Sequence, residues 1–216
     1  MRDTDFKGLQ ALAEAFLNME ISDTEFSPMI IQHPIFESAF QFVNGEIINI
    51  LESEENLEKA RKVYAGLIGR LDSISDFLML IRKPYYMAFM KYGHMFMNEK
   101  DYGTFLSEAW VTQENPNMDC NVTHEEARDL FRGANPAYLM TDEERTYLDS
   151  KPETFTLYRG VAEGRSKEGL SWTDSREKAE WFANRFRENG FVLEKEVSKS
   201  DVLAYFAGRG ESEFVV

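Results

Sequence analysis

The chain has a single cysteine, Cys120, in 216 residues, so no disulfide can form within it and stability has to come from packing. His33, His94 and His124 are scattered, and without a second cysteine nearby they offer no zinc-ligand spacing. Each reads as an ordinary helix or loop residue, and no metal is expected. Basic residues are in short supply: 24 Lys and Arg against 38 Asp and Glu give a formal charge of -14. A surface of that sign repels a phosphate backbone, which excludes nucleic-acid binding as the main task while leaving room for a local basic site. No apolar run approaches the roughly 20 residues needed to span a bilayer. The N-terminal segment MRDTDFKGLQALAEAFLNMEI reads as an amphipathic helix preceded by acids, not a basic segment leading into an apolar one, so no secretory signal and a cytoplasmic location are expected. Asn121-Val122-Thr123 matches a glycosylation acceptor that means nothing without a secretory route. Internal repeats and low-complexity segments are also missing.

What remains is a chain that is 43% hydrophobic and 13% aromatic, enough for a packed core in one or two domains. From Met1 to about Ser150 the pattern reads as helical throughout. Apolar residues recur at three and four over Gly8 to Met19, Pro34 to Leu51 and Leu57 to Leu71. Ile74 to Met97 is the most apolar stretch and is broken by Pro84 into two helices. Tyr85, Tyr86, Met90, Tyr92 and Met97 on the second form either core or a partner groove. Thr123 with Glu126, and Thr141 with Glu144, have the spacing of capping boxes.

After Lys151 and Pro152 the pattern changes to strands, expected at Phe155 to Val161, Gly169 to Thr173, Phe191 to Val197, Val202 to Phe206 and Glu213 to Val216. A single helix, Ser175 to Glu188, opens on an Asp174-to-Glu177 capping pattern. Helices first and strands afterwards give an α+β class, with an all-helical region at 1–152 and a compact strand-rich core at 153–216.

Three short pieces of that core carry chemistry. TLYRGV ends a β-rich run in Arg159 and Gly160: a planar guanidinium suits phosphate oxygens, and a glycine lets them approach. GLSWTDSREKAEWFA presents the hydroxyls of Ser171 and Thr173 on either side of Trp172, then runs into the helix. RGESEFVV places Glu211 and Glu213 two apart on a last strand, which in extended backbone puts both carboxylates on one face with Cα atoms about 6.5 Å apart. Taken singly, each piece also reads as an edge residue at a turn, a half-buried strand or a solvated strand end.

In that order, an arginine strand, a Ser-x-Thr strand feeding a helix and a Glu-x-Glu strand, the last third of the chain resembles the mono-ADP-ribosyltransferases of the Arg-Ser-Glu class, which include cholera-toxin-like and clostridial binary toxins and small phage transferases. The resemblance implies a split β-sandwich core with NAD, as substrate, in the cleft between its sheets. It makes Arg159 the NAD-contacting arginine and Ser171-Trp172-Thr173 the Ser-Thr-Ser strand. Glu213 becomes the catalytic glutamate, Ser171 orients it, and Glu211 is the acidic residue associated with arginine as acceptor. Phe182 or Trp181 packs on the nicotinamide ring, unless both are core residues of the helix. Only VAEGRSKEGL separates Arg159 from Ser171 and little follows Glu213, so this is either a minimal member or one whose preceding region supplies the missing packing. The AGRG segment, 207–210, stands where the acceptor-recognising loop belongs.

The expected activity is transfer of ADP-ribose from NAD to a protein side chain by a phage or toxin-like effector, with the helical region recognising the target or covering the cleft. A non-catalytic binding or inhibitor protein and an NAD glycohydrolase are the alternatives.

Overall fold

The computed structural model describes residues 3–113, 119–185, 189–210 and 212–216. Helix and strand are both present, as the α+β class requires, and the chain divides into two compact units, Met1–Asp101 and Tyr102–Val216.

In the first unit, α1 (Phe6–Leu17) starts where Asp5 accepts a hydrogen bond from the Gly8 amide and buries Leu9, Ala13, Phe16 and Leu17. That stripe packs on α2 (Glu54–Ile68) and α4 (Tyr86–Gly93). Phe89 is met edge-on by Phe16, with ring centroids 5.5 Å apart, and is stacked by Phe77 of α3 (Ile74–Leu80) at 5.7 Å. Pro84 interrupts the helix as expected, within a 3₁₀ turn at Lys83–Tyr85. Of the Met and aromatic stripe, Tyr86, Met90 and Met97 are core, whereas Tyr92 is exposed.

Two expectations fail here. Pro34 to Leu51 is not helical: the unit contains the ribbon β1 (Ser22–Asp23) with β2 (Ile31–Gln32), and the hairpin β3 (Phe40–Val43) with β4 (Glu46–Asn49), so the region is not all-helical. Asn44 and Gly45, with φ of 52° and 92°, form the two-residue loop that a twisted hairpin favours. The apolar residues that looked helical alternate instead.

His33, expected to be ordinary, is buried, and its Nδ1 accepts hydrogen bonds from the Ile35 and Phe36 amides at 3.1 and 3.0 Å. Burial, with the charges of Arg61 and Arg82 acting the same way, pushes its pKa from 6.5 down to about 4. A proton on Nδ1 would also destroy both hydrogen bonds. Because the folded pKa is the lower one, the stabilisation is present above about pH 6.5 and is lost as pH falls from there towards 4. The first unit is therefore expected to lose about 2 kcal/mol between pH 7.5 and 5. Urea titrations at the two pH values should show this loss, and His33→Asn, which keeps an acceptor but does not titrate, should lack most of it.

The second unit contains the rest of α5 (Glu99–Val111), α6 (His124–Gly133), α7 (Pro136–Leu139), α8 (Asp142–Asp149) and α9 (Arg176–Asn184). Both expected capping boxes are present, Thr123 with Glu126 on α6 and Thr141 with Glu144 on α8. The sheet is formed by β5 (Thr154–Val161), β6 (Ser171–Thr173), β7 (Phe191–Ser198), β8 (Ala204–Phe206) and β9 (Glu213–Val215), each close to its expected place. The break expected at 152 falls inside this unit, because α8 packs on the sheet. Tyr147 lies against Tyr205 at 4.6 Å, and Glu144 accepts from the Ala207 amide at 2.8 Å.

Candidate functional site

The strands of the second unit lie in the order β7-β5-β6-β9-β8, all antiparallel, so the last strand of the chain enters between β6 and β8. The three strands that carry the sequence motifs thereby become neighbours. One row crosses four strands of the sheet: Tyr158 opposite Thr173, Thr173 opposite Glu213, and Glu213 opposite Phe206. Directly opposed residues share a face of the sheet. Thr173 is thus the residue across from Glu213, while Ser171, which was expected to orient the glutamate, is opposite Val215.

Arg159 sits one residue past the Tyr158–Thr173 pair. Its Nη1 donates to the Ser171 carbonyl at 2.8 Å and its Nη2 to the Glu168 carbonyl at 3.3 Å. Its Nε is buried without a hydrogen-bond partner among the described residues. Gly169 makes this position possible, since a Cβ there would lie 2.2 Å from Nη2. Burial lowers the guanidinium's pKa, and the negative charge of Glu213 acts in the opposite direction. The group remains a cation at any ordinary pH.

Glu213 is half-buried, and its Oε1 accepts a hydrogen bond of 2.8 Å from Trp110 Nε1 on α5. Trp110 is 1% exposed and meets Phe131 edge-on at 5.0 Å, so the donor is fixed by packing and in turn fixes the carboxylate. Sequence reasoning missed Trp110. A tryptophan among apolar neighbours on a helix looks like core, and its partner is 103 positions away.

The other motif residues have plain surroundings. Trp172 is half-buried, opposite Phe214, and donates to the Gly169 carbonyl at 3.1 Å. Thr173 is buried, and its Oγ1 accepts from the Ser175 amide at 3.3 Å at the turn into α9. The N-cap of α9 is Ser175, which accepts from Lys178 N, and not Asp174. Asp174 is engaged by Lys151 Nζ at 2.7 Å and by the Tyr147 hydroxyl, whose pKa rises mainly through that hydrogen bond.

Gly160 does not face open space. A Cβ there would stand 2.0 Å from the Ala179 carbonyl oxygen, so the glycine allows α9 to lie directly on β5. Phe182 is half-buried in that contact, whereas Trp181, edge-on to it, is 57% exposed and belongs to no core. Ser212 has φ of 49°, and the extended backbone of β9 begins at Glu213. Glu211 itself lies outside the described residues, as does the 186–188 end of the expected helix.

A groove of about 570 Å³ between α1 and α2 of the first unit, lined by Leu17, Glu58, Lys59 and Arg61 among others, shares no residue with the motifs. Its charges pair locally, Lys59 with Glu55 and Arg61 with Glu58, so it presents no field of one sign to a ligand. Among the described residues no cluster of His, Cys, Asp and Glu has the makings of a metal site, and no helix is long and apolar enough to cross a membrane. Comparison of the chain with known protein families, with characterised proteins and with solved structures gives no match.

Proposed function

We propose that the second unit binds NAD and transfers its ADP-ribose to a side chain of another protein. The observation that carries this reading is the strand order. An arginine, a Ser-x-Thr segment on the next strand and a glutamate from the last strand lie on adjacent strands β5, β6 and β9, and the charge of Glu213 reaches Arg159. The resemblance implies a cleft between two sheets, whereas β5 to β9 form one five-stranded sheet in which β5 pairs with β7 along its whole length but with β6 only at Tyr158–Thr173. The sheet is least closed beside Arg159.

The residues suit the substrate. A guanidinium on a glycine floor has N–H groups beyond the two given to the Ser171 and Glu168 carbonyls, and these suit phosphate oxygens. Glu213, held by Trp110, supplies a fixed negative charge near the ribose as the C1′–N1 bond breaks and nicotinamide leaves with the bonding pair. The acceptor then forms the new bond to C1′ and releases a proton to a base. Glu211 would serve that base if arginine is the acceptor, because a guanidinium needs help to lose its proton. The helical segments would recognise the acceptor or cover the cleft, as in a phage or toxin-like effector acting on a cytoplasmic protein.

Incubating the protein with labelled NAD and a cell lysate tests this. A labelled protein band is expected. Free ADP-ribose without a band would make the protein a glycohydrolase, and no turnover would leave it a binding protein. Arg159→Lys is expected to weaken NAD binding about 10-fold or more by calorimetric titration, because an ammonium cannot reproduce the planar fork. Equal affinity would reduce Arg159 to a structural residue.

A further inference from the structure

The β3–β4 hairpin of the first unit is turned inside out. In β3 the phenylalanines Phe40 and Phe42 face solvent while Gln41 and Val43 are buried. Phe42 is directly opposite Ile47 of β4, and the two side chains are 70% and 73% exposed. A shift of register by one residue would exchange the two faces of the strand and bury the aromatic rings. Dedicated contacts prevent it: Gln41 donates to the Ser38 carbonyl at 2.6 Å and accepts from the Tyr64 hydroxyl at 2.9 Å, and Asn44-Gly45 fixes the turn. The inward polar residue is fully engaged, so the outward rings are specified by the fold.

The apolar surface extends beyond the hairpin. The Ala39 amide donates to the Pro28 carbonyl at 3.0 Å, which holds the preceding turn alongside β3, and that turn exposes Phe26, Met29 and Ile30. Clustered side chains of this size left in water mark a contact surface more often than chance exposure does. The exposed charge along these segments is acidic, and the half-buried Arg82 that reaches them is engaged by the Ile31, His33 and Phe36 carbonyls. Between Lys7 and Lys59 the sequence has no lysine or arginine, and Asp23, Glu25, Glu37 and Glu46 beside these apolar residues are all exposed. That field disfavours an anionic lipid surface and a second copy of the same patch, since both would bring like charges together.

We infer that this hairpin and turn form a docking surface for a protein partner that presents apolar side chains flanked by lysines and arginines. The apolar core supplies affinity, and the acidic rim selects the partner and speeds encounter. The surface belongs to the first unit, and its test reads binding alone.

The probe is a labelled synthetic amphipathic helix with a leucine face and flanking lysines, titrated into the full chain by fluorescence anisotropy. Two control peptides replace the lysines by glutamates or the leucines by serines. The lysine–leucine peptide is expected to bind, with both controls and added salt each weakening binding about 10-fold or more. Phe42→Ser with Ile47→Ser should weaken it by a similar factor while leaving the circular dichroism and melting curve unchanged, since both side chains are exposed. If that variant fails to fold, Phe26→Ser with Met29→Ser reads the same surface from the turn. Equal affinity of folded variants and parent overturns the assignment. Sedimentation showing a dimer of the parent that the hairpin variant dissolves would also overturn it, giving the surface to a second copy of the chain.

Discussion

Glu213→Gln is expected to lower NAD turnover by about 10²-fold to 10⁴-fold in a protein that folds almost normally. The two halves of this expectation have separate causes. Folding is spared because a glutamine Oε1 can still accept the 2.8 Å hydrogen bond from Trp110 Nε1, so the side chain keeps its place. What disappears is the negative charge, which acts on Arg159 in the resting protein and, in the proposed reaction, opposes the positive charge developing on the ribose. Removing the charge that acts on a half-buried arginine costs some stability, small beside the loss of rate. Steady-state nicotinamide release and a melting curve on the same preparation separate the effects. Unchanged turnover in a folded variant would leave Glu213 as a structural acceptor for Trp110 and remove the main support for the transferase reading.

Gly160→Ala is expected to be a strongly destabilising single-methyl change in the second unit. The added Cβ would stand 2.0 Å from the Ala179 carbonyl oxygen and 2.6 Å from the Ala183 amide nitrogen. Both are backbone atoms of a helix, so no rotamer change can relieve the clash and α9 has to lift from β5. The cost is about 3 kcal/mol, or roughly 10 °C in melting temperature. A useful contrast is Gly66→Ala in the last turn of α2, where nothing lies within 4 Å of the new Cβ. That change should stabilise the first unit by about 1 kcal/mol, since alanine is the better helix former. Thermal denaturation of both variants decides the matter. A melting temperature for Gly160→Ala within a degree or two of the parent would mean that α9 is not packed on β5 in solution.

Much of the second unit is legible from local pattern. β-branched and aromatic runs bounded by Gly and Pro mark β5 to β9 closely, because a half-buried strand has to alternate and a turn needs its own residues. Thr123 and Thr141 announce α6 and α8, because a side-chain cap and its partner lie three residues apart and depend on nothing distant. The first unit is less legible. Over Pro34 to Leu51 apolar residues satisfy a helical spacing and a strand alternation equally well. Only Asn44-Gly45 tips the balance, and even then the alternation is inverted, with Gln41 inward and the phenylalanines outward. His33 likewise looks ordinary because burial is a property of the surroundings, not of the residue.

The sequence by itself determined the α+β class, the absence of a disulfide within the chain, the acidic charge and the identity of the residues around which a site could form. All of these depend on composition or on neighbours within a few positions. Tertiary structure alone decided which residues meet. Inserting the last strand between β6 and β8 sets Thr173 opposite Glu213, packing of α5 brings Trp110 to the glutamate, and closure of α9 onto β5 takes the space beside Gly160. Each of these depends on contacts between segments far apart in the chain, which form only when the core closes, and no local pattern encodes them.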